Sequence, residues 1–424
     1  MPVESPAEES KSADRLTLLY RVSQSFNSSL ELDRVLNTVL DECITSTHAE
    51  RGFLLLSEPG EKFGFRAARG MDQTTIDQPE FQVSRGVVQR VLEEGTPLLA
   101  SNAQVDDRLS GRQSIMALGL RSILCVPLQH KGETLGVVYV DNRLQSGIFT
   151  PDDLDLLRAI ASSAAVAIEN ARLYQVSIEK ARLERELQVA RQVQVSLLPR
   201  SLPQRPGWEF AASWQPALEV AGDFYDFVHL DGNHLAIVVA DVADKGMPAA
   251  LFMATTRTTI RTMLTQEHSP GRALTLANQL LCDDASHGMF VTVFCAVLEL
   301  GSGRLRFANA GHNPPIVCGG GASPLRTLGR TGMALGIERE SLVDEAETRL
   351  GNGDFVASYT DGVTEACSPG GEQFGVSRLE EILQKTGPAA AQAIVDSVGR
   401  SVLAFCGSHS LLDDMTLVVA RRDA

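Results

Sequence analysis

No Cys-x-x-Cys pair occurs among the seven cysteines of this chain, Cys43, Cys125, Cys282, Cys295, Cys318, Cys367 and Cys406. So odd and dispersed a set excludes a disulfide framework and predicts reduced thiols and a cytoplasmic address. Positive charge is also scarce: 38 Lys and Arg stand against 53 Asp and Glu, a net charge of −15. That balance argues against a nucleic-acid binder working through a broad basic face, but it suits a bound cation. Long apolar runs are missing as well. Runs such as "MFVTVFCAVLEL" stop well short of the ~20 residues that cross a bilayer, so no membrane span is expected. Residues 1–14 are acidic and polar and read as a disordered lead-in rather than a signal peptide.

What remains is ordinary for soluble domains, 44% hydrophobic and 21% charged over 424 residues, a length that suggests two or three domains. Helical spacing runs from Leu16 to Leu40, with apolar residues at Leu19, Val22, Phe26, Val35, Leu36 and Val39. Strand-like segments follow, "RGFLLLSE" and "FGFRAARG", then a helical "GVVQRVLEEG". Two strands then surround the Lys131-Gly132 turn, and a helix starts near Asp152. This pattern predicts an antiparallel sheet flanked by helices over 15–174. From 175 to 200 the chain has no Gly and, before Pro199, no Pro, with Val176, Leu183, Ala190 and Leu197 recurring every seven residues. Leu173 and Leu187 form a second row, which Lys180 and Gln194 interrupt. A single solvated linker helix is the plain reading; the heptad favours a short parallel coiled coil, hence a homodimer. Over 201–424 strands alternate with helices, among them a hairpin at Asp231-Gly232-Asn233 and helices at Met247–Leu264 and Arg272–Cys282.

In this second half, apolar strands run into carboxylates. Asp223/Asp226, Asp241/Asp244, Asp361 and Asp413/Asp414 all flank strands such as "HLAIVVADV", "FVASYTD" and "MTLVVARR". Gathered at one sheet rim, such groups repel and stay ionised together only beside a cation. An all-oxygen set suits Mg²⁺ or Mn²⁺, and two such ions would activate water and clamp a phosphoryl oxygen. Each piece also has a local explanation: Asp361-Gly362 as a turn, Asp244 as a helix cap, Asp413-Asp414 as a solvated loop.

The motifs "AGDFYD", "VADVADKGMPAALFMA", "MFVTVFCAVLEL", "NAGHNPP", "GMALGI", "YTDGVTEA", "FGVSRL" and "DDMTLVVAR" stand in an order that resembles the SpoIIE/RsbU-like protein phosphatases. These are bacterial members of the metal-dependent PPM serine/threonine phosphatases. The resemblance spans roughly Ala190 to Arg421 and implies a β-sandwich flanked by helices with two Mn²⁺ or Mg²⁺ ions at one rim. Carried over by residue, Asp241 would bridge the ions and Val242 would offer its carbonyl. Asp223, with Asp226 as its second carboxylate, Asp361 and Asp413 would complete the set, and Asp223 and Asp241 would hold the activated water. Asp413 is chosen over Asp414 because the first aspartate of "DDMT" is the family's ligand. Ala-Asp before Lys245 and Ala221 before Gly222 depart slightly from the family pattern, and every acidic position is filled. His312 reads either as a general acid or as a loop histidine bonded to backbone, and Lys245 as a phosphate-steering or a surface-pairing cation; neither enters the catalytic list.

Residues Arg15 to Tyr174 resemble a GAF domain through "ERGFLLL", "GLRSILCVPLQHKGETLGVVYVDN" and "FTPDDLDLLRAIASSAAVAIENARLY". The cyclic-nucleotide signature of some such domains is incomplete, since Arg143 and Leu154 stand where it has a lysine and a glutamate. Cys125, inside an apolar strand, reads as core. The expectation is an α+β multidomain chain: a GAF sensor taking an unknown small molecule or protein, a helical linker, and a phosphatase. The phosphatase would act on a phosphorylated STAS-domain anti-anti-sigma factor. Two rivals stand beside it, a non-catalytic dimeric GAF scaffold and a metal-dependent nucleotide phosphodiesterase.

Overall fold

The computed structural model describes residues 17–26, 29–58, 61–79, 82–109, 113–284, 288–319, 325–386, 389–407 and 411–423; the expected lead-in over 1–14 lies outside them. The chain divides into two compact units, Met1–Arg182 and Leu183–Ala424.

In the first unit, helices α1 (17–26) and α2 (Leu32–Thr47) precede strands β1 (Arg51–Glu58) and β2 (Glu61–Gly70). Then come α3 (Arg85–Glu94), β3 (Leu98–Ala100), α4 (Gln113–Ala117), β4 (Ser122–His130), β5 (Glu133–Asn142) and α5 (Pro151–Leu197). The strands form one antiparallel sheet in the order β2-β1-β5-β4-β3. Strand β5 shows why it is covered on both faces. Val138 and Val140 pack with α2 and α5, while Val137 and Tyr139 pack with α3 and α4, as a period of two requires. Cys125 is fully buried in the second of these cores, as expected. Arg51 and Asp141 form a buried two-bond pair at 2.9 and 2.7 Å. Burial nevertheless lifts the Asp141 carboxyl to about 6 against the pull of that guanidinium.

Helix α5 runs unbroken for 47 residues and crosses the boundary between the units. It ends at Leu197, two residues before Pro199, which cannot continue the ladder. The helix foreseen over the linker is therefore present and continuous with the closing helix of the first unit. Leu173, Val176 and Leu183 are exposed. Among the described residues no helix is long and apolar enough to cross a membrane.

The second unit opens with β6 (Trp208–Gln215), β7 (Phe224–His229) and β8 (His234–Val242). Helices α6 (Met247–Glu267) and α7 (Pro270–Asp284) follow, then β9 (Val291–Glu299), β10 (Arg304–Ala310), β11 (Ile316–Cys318), β12 (Arg326–Thr327), β13 (Ala346–Arg349) and β14 (Phe355–Tyr359). The unit closes with α8 (Asp361–Thr364), α9 (Gly375–Thr386), α10 (Ala391–Cys406) and β15 (Met415–Arg422). Two antiparallel sheets result, β13-β10-β9-β8-β7 and β12-β11-β14-β15-β6. Phe227, Ile237, Phe294, Val356 and Val418 fill the space between them. On the outer faces, α6 and α7 pack on the first sheet and α9 and α10 on the second. The short edge strands β12 and β13 carry no apolar run that the sequence could announce.

Candidate metal centre

Side-chain parity places the carboxylates. In β8, Leu235, Ile237 and Val239 point between the sheets, and Ala236, Val238 and Ala240 point to the helices. Asp241 continues the inward row at the strand's last turn of pleat. The antiparallel register pairs Phe224 with Ala240, so one step further along sets Asp223 beside Asp241 on that inward face. The two carboxyls are near neighbours, each altering the other's hold on a proton. In the other sheet Tyr359 pairs with Leu417, and the next step brings Thr360 beside Thr416, the Thr360 N–H donating to the Thr416 carbonyl at 3.0 Å. Both threonine hydroxyls donate to Asp223 Oδ2, at 2.6 and 2.9 Å. Asp361 opens α8 directly after Thr360, and Asp413-Asp414 lead into β15.

Close backbone approach locks this rim. A Cβ on Gly362 would lie 2.0 Å from the Asp414 carbonyl oxygen, and one on Gly222 would lie 3.1 Å from the Val242 carbonyl oxygen. Only glycine fits the first position without displacing backbone.

The rim is electrostatically costly as it stands. Burial first, then the charges of Asp361 and Asp413, push the Asp241 carboxyl up to about 7. Burial and the neighbouring Asp413 lift Asp361 to about 6. Asp223 is raised by burial and by Asp241 and Asp414, against the two threonine hydroxyls. Protons or a cation must offset this repulsion. Among the described residues no three His, Cys, Asp or Glu side chains already converge around one point. Part of the reason is visible: Asp413 pairs with Lys245 Nζ at 2.8 Å, and that ammonium also donates to the Leu412 carbonyl at 2.7 Å. A rim of carboxylates and a backbone carbonyl, with one member held by a displaceable, half-exposed lysine, fits a hard divalent ion by donor chemistry.

Asp226 turns away from this rim, and Asp414, at the rim, binds backbone. Asp226 lies three positions after Asp223 in an extended strand and so faces the opposite side, towards α6. There its carboxylate accepts from Arg257 at 2.9 Å and Arg261 at 2.8 Å, and the geometry separates it from the ligand group in which the resemblance placed it. Asp414 accepts the Ala217 and Gly222 N–H groups, both at 2.8 Å, so it ties the loop before β7 to the second sheet. Asp244 does not cap α6; Gly246 takes that position. His312 is buried, its backbone N–H donating to Asn309 Oδ1 and its ring Nδ1 lying 2.8 Å from Thr292 Oγ1. The backbone of Tyr359 lies near the ring, yet Nε2 has no hydrogen bond of good geometry. The ring's hydrogen bond thus goes to a side-chain hydroxyl, where the loop-histidine alternative expected backbone.

Thr360 and Thr416 do not stand out in the sequence, and Gln194 stands out only as a break in the heptad row. The signal for the threonines was their parity, each an inward position at the end of an apolar strand.

The profile of the Stage II sporulation protein E (SpoIIE) family matches residues 231–423, and that of the GAF domain matches 29–169. Protein IcfG of Synechocystis sp. is 32% identical over 268 residues, 56% of this chain and 42% of that protein. Phosphoserine phosphatase RsbU of Bacillus subtilis is 29% identical over 240 residues, 57% of this chain and 71% of that one. The chain thus spans under half of the first relative and about seven-tenths of the second. Among solved structures, the SiaA-PP2C domain of Pseudomonas aeruginosa superposes with a TM-score of 0.53 at 22% identity, covering 58% of this chain and 99% of that one, which shows a shared fold. Residues 29–169 are thus similar to a GAF domain and residues 231–423 to the SpoIIE family, and the second unit shares its fold with the SiaA-PP2C domain.

Proposed function

We propose that the second unit hydrolyses phosphoserine or phosphothreonine in a protein substrate. Asp223, Asp241, Asp361 and Asp413, with the Val242 carbonyl, would hold two Mn²⁺ or Mg²⁺ ions. The observation that carries this reading is the facing of the Asp223/Asp241 pair on one sheet by Asp361 and Asp413 on the other, at one rim where Asp223 is buried and the other three are partly exposed. Bound there, the ions supply the charge that activates water and stabilises a phosphoryl oxygen. The protein's own part is positional. Thr360 and Thr416 fix one oxygen of Asp223, leaving the other for the centre. Asp414 fixes the loop that delivers Asp223, and Lys245 must leave Asp413 for that carboxylate to turn inward.

The phosphoserine in this proposal follows by analogy with the relative named phosphoserine phosphatase RsbU, and the phosphorylated STAS-domain regulator that carries it follows from the resemblance of the sequence motifs. The GAF domain would sense a small molecule or partner. The exposed row at Leu173, Val176 and Leu183 would join two copies as a parallel coiled coil. Phosphate release from a phosphoserine STAS protein and a phosphotyrosine protein is to be compared with ring opening of cyclic nucleotides to nucleoside monophosphates, in the cytoplasmic pH range. Turnover confined to the nucleotides would replace this reading with a phosphodiesterase, and none at all with the scaffold.

A further inference from the structure

We propose that Gln194 is a positioning residue for Asp223, through which the end of α5 sets the geometry of the acidic pair. The proposal rests on Asp223 being a cation ligand. Gln194 lies in the last turn of α5 and is buried, whereas residues 172–186 of the same helix are exposed. Its carboxamide makes two bonds to a single residue. Nε2 donates to the Ala221 carbonyl at 2.8 Å, and Oε1 accepts the Ala221 N–H at 3.1 Å. This also accounts for the interrupted heptad row, because a leucine at 194 would continue the row but leave both Ala221 groups unpaired.

Ala221 is two residues from Asp223, and the intervening residue offers little slack. Gly222 has its N–H held by Asp414 Oδ2 at 2.8 Å and approaches the Val242 carbonyl. The Asp223 carbonyl in turn accepts the Trp214 indole N–H at 3.0 Å. Three consecutive residues are therefore held by three elements: α5 at Ala221, the lead into β15 at Gly222, and β6 at Asp223. Two of those anchors belong to the sandwich and move with it. The third belongs to a helix that continues out of this unit, so a shift or rotation of α5 acts on the Asp223 backbone directly.

The test uses the full chain. Wild type, Gln194→Leu and Gln194→Glu are titrated with Mn²⁺ while tryptophan fluorescence is followed, Trp214 being the reporter. Amide exchange over 217–223 and the metal-free urea midpoint are read in parallel. Gln194→Leu is expected to weaken Mn²⁺ binding by about tenfold, the scale of loss when a ligand's supporting partner is removed, and to speed exchange at Ala221. Gln194→Glu keeps an acceptor for the Ala221 N–H and is expected to fall between. Unchanged Mn²⁺ affinity in Gln194→Leu, even with a lowered urea midpoint, marks a structural contact only and overturns the positioning role while the metal centre stands. If Gln194→Leu does not fold, unchanged affinity in Gln194→Glu overturns it equally. Wild type that binds no Mn²⁺ overturns the metal centre and this proposal together.

Discussion

Thr360 on one sheet donates its hydroxyl to Asp223 on the other, 2.6 Å across the mouth of the sandwich. Thr416 donates to the same oxygen at 2.9 Å. A buried carboxylate flanked by Asp241 and Asp414 is thus held in one rotamer by two neutral donors. Replacing Thr360 with Val keeps shape and removes one of them. The expected cost is about 1–3 kcal/mol of stability, the scale for removing one partner of a buried hydrogen bond, and a roughly 10-fold weaker affinity for Mn²⁺. Urea unfolding and a Mn²⁺ titration read the two effects separately. Full metal affinity in Thr360→Val would show that the hydroxyl does not orient the ligand.

Asp226 faces α6, and its loss should be felt in folding rather than in metal binding. Asp226→Asn breaks a pair with Arg257, itself largely buried, and with Arg261. About 3 kcal/mol of stability should go, the lower end for breaking a buried ion pair from one side. Mn²⁺ affinity of the folded protein should stay within about twofold of wild type by the same separation. A large loss of affinity at wild-type stability would return Asp226 to the ligand set.

How much of this was legible in the sequence follows from which physics each feature uses. The continuous apolar run in "HLAIVVADV" already marks a strand buried on both faces, and strand parity puts Asp241 in the row with Leu235, Ile237 and Val239. The same rule, applied to Asp223 and Asp226, shows that residues three apart in a strand point to opposite faces; the resemblance grouped them and parity separates them. Thr360 and Thr416 act across the gap between two sheets, a relationship no local pattern encodes. Gln194 read as a flaw in a heptad because its partner, Ala221, is 27 residues away. The sheets' long apolar strands were foreseen nearly to the residue, and β12 and β13 were not, being short, exposed edges.

Burial lowers the His312 imidazole to about 3, against about 6.5 for the unfolded chain. Below pH 6.5 the unfolded state gains a proton that the folded state refuses, so stability from this group is intact above 6.5 and lost as pH falls towards 3. The carboxyls of Asp141, Asp241 and Asp361, raised to about 6, 7 and 6, act in the opposite direction between their unfolded value and those values. The difference between wild type and His312→Gln therefore isolates the histidine. Urea midpoints from pH 7.5 to 4.5 should converge as pH falls, and a constant gap would mean the ring does not titrate on unfolding.

Protons and cations compete for the rim. With the Asp241 carboxyl raised to about 7 and Asp361 to about 6 in the ion-free protein, apparent Mn²⁺ affinity should fall as pH drops below 7. The slope should approach about tenfold per pH unit for each proton displaced. Calorimetric titration from pH 8 to 5.5 measures it, and an affinity flat across that range would remove these carboxyls from the binding site.

The most direct test of the central claim is phosphate release from a phosphoserine STAS protein, with Mn²⁺ supplied or chelated, by wild type and by Asp241→Asn. The account predicts release by wild type that requires Mn²⁺ and falls by at least about 100-fold in the variant, the scale of losing a charge-stabilising group at the reacting centre. Equal release by the two proteins, or release that survives chelation, would contradict it.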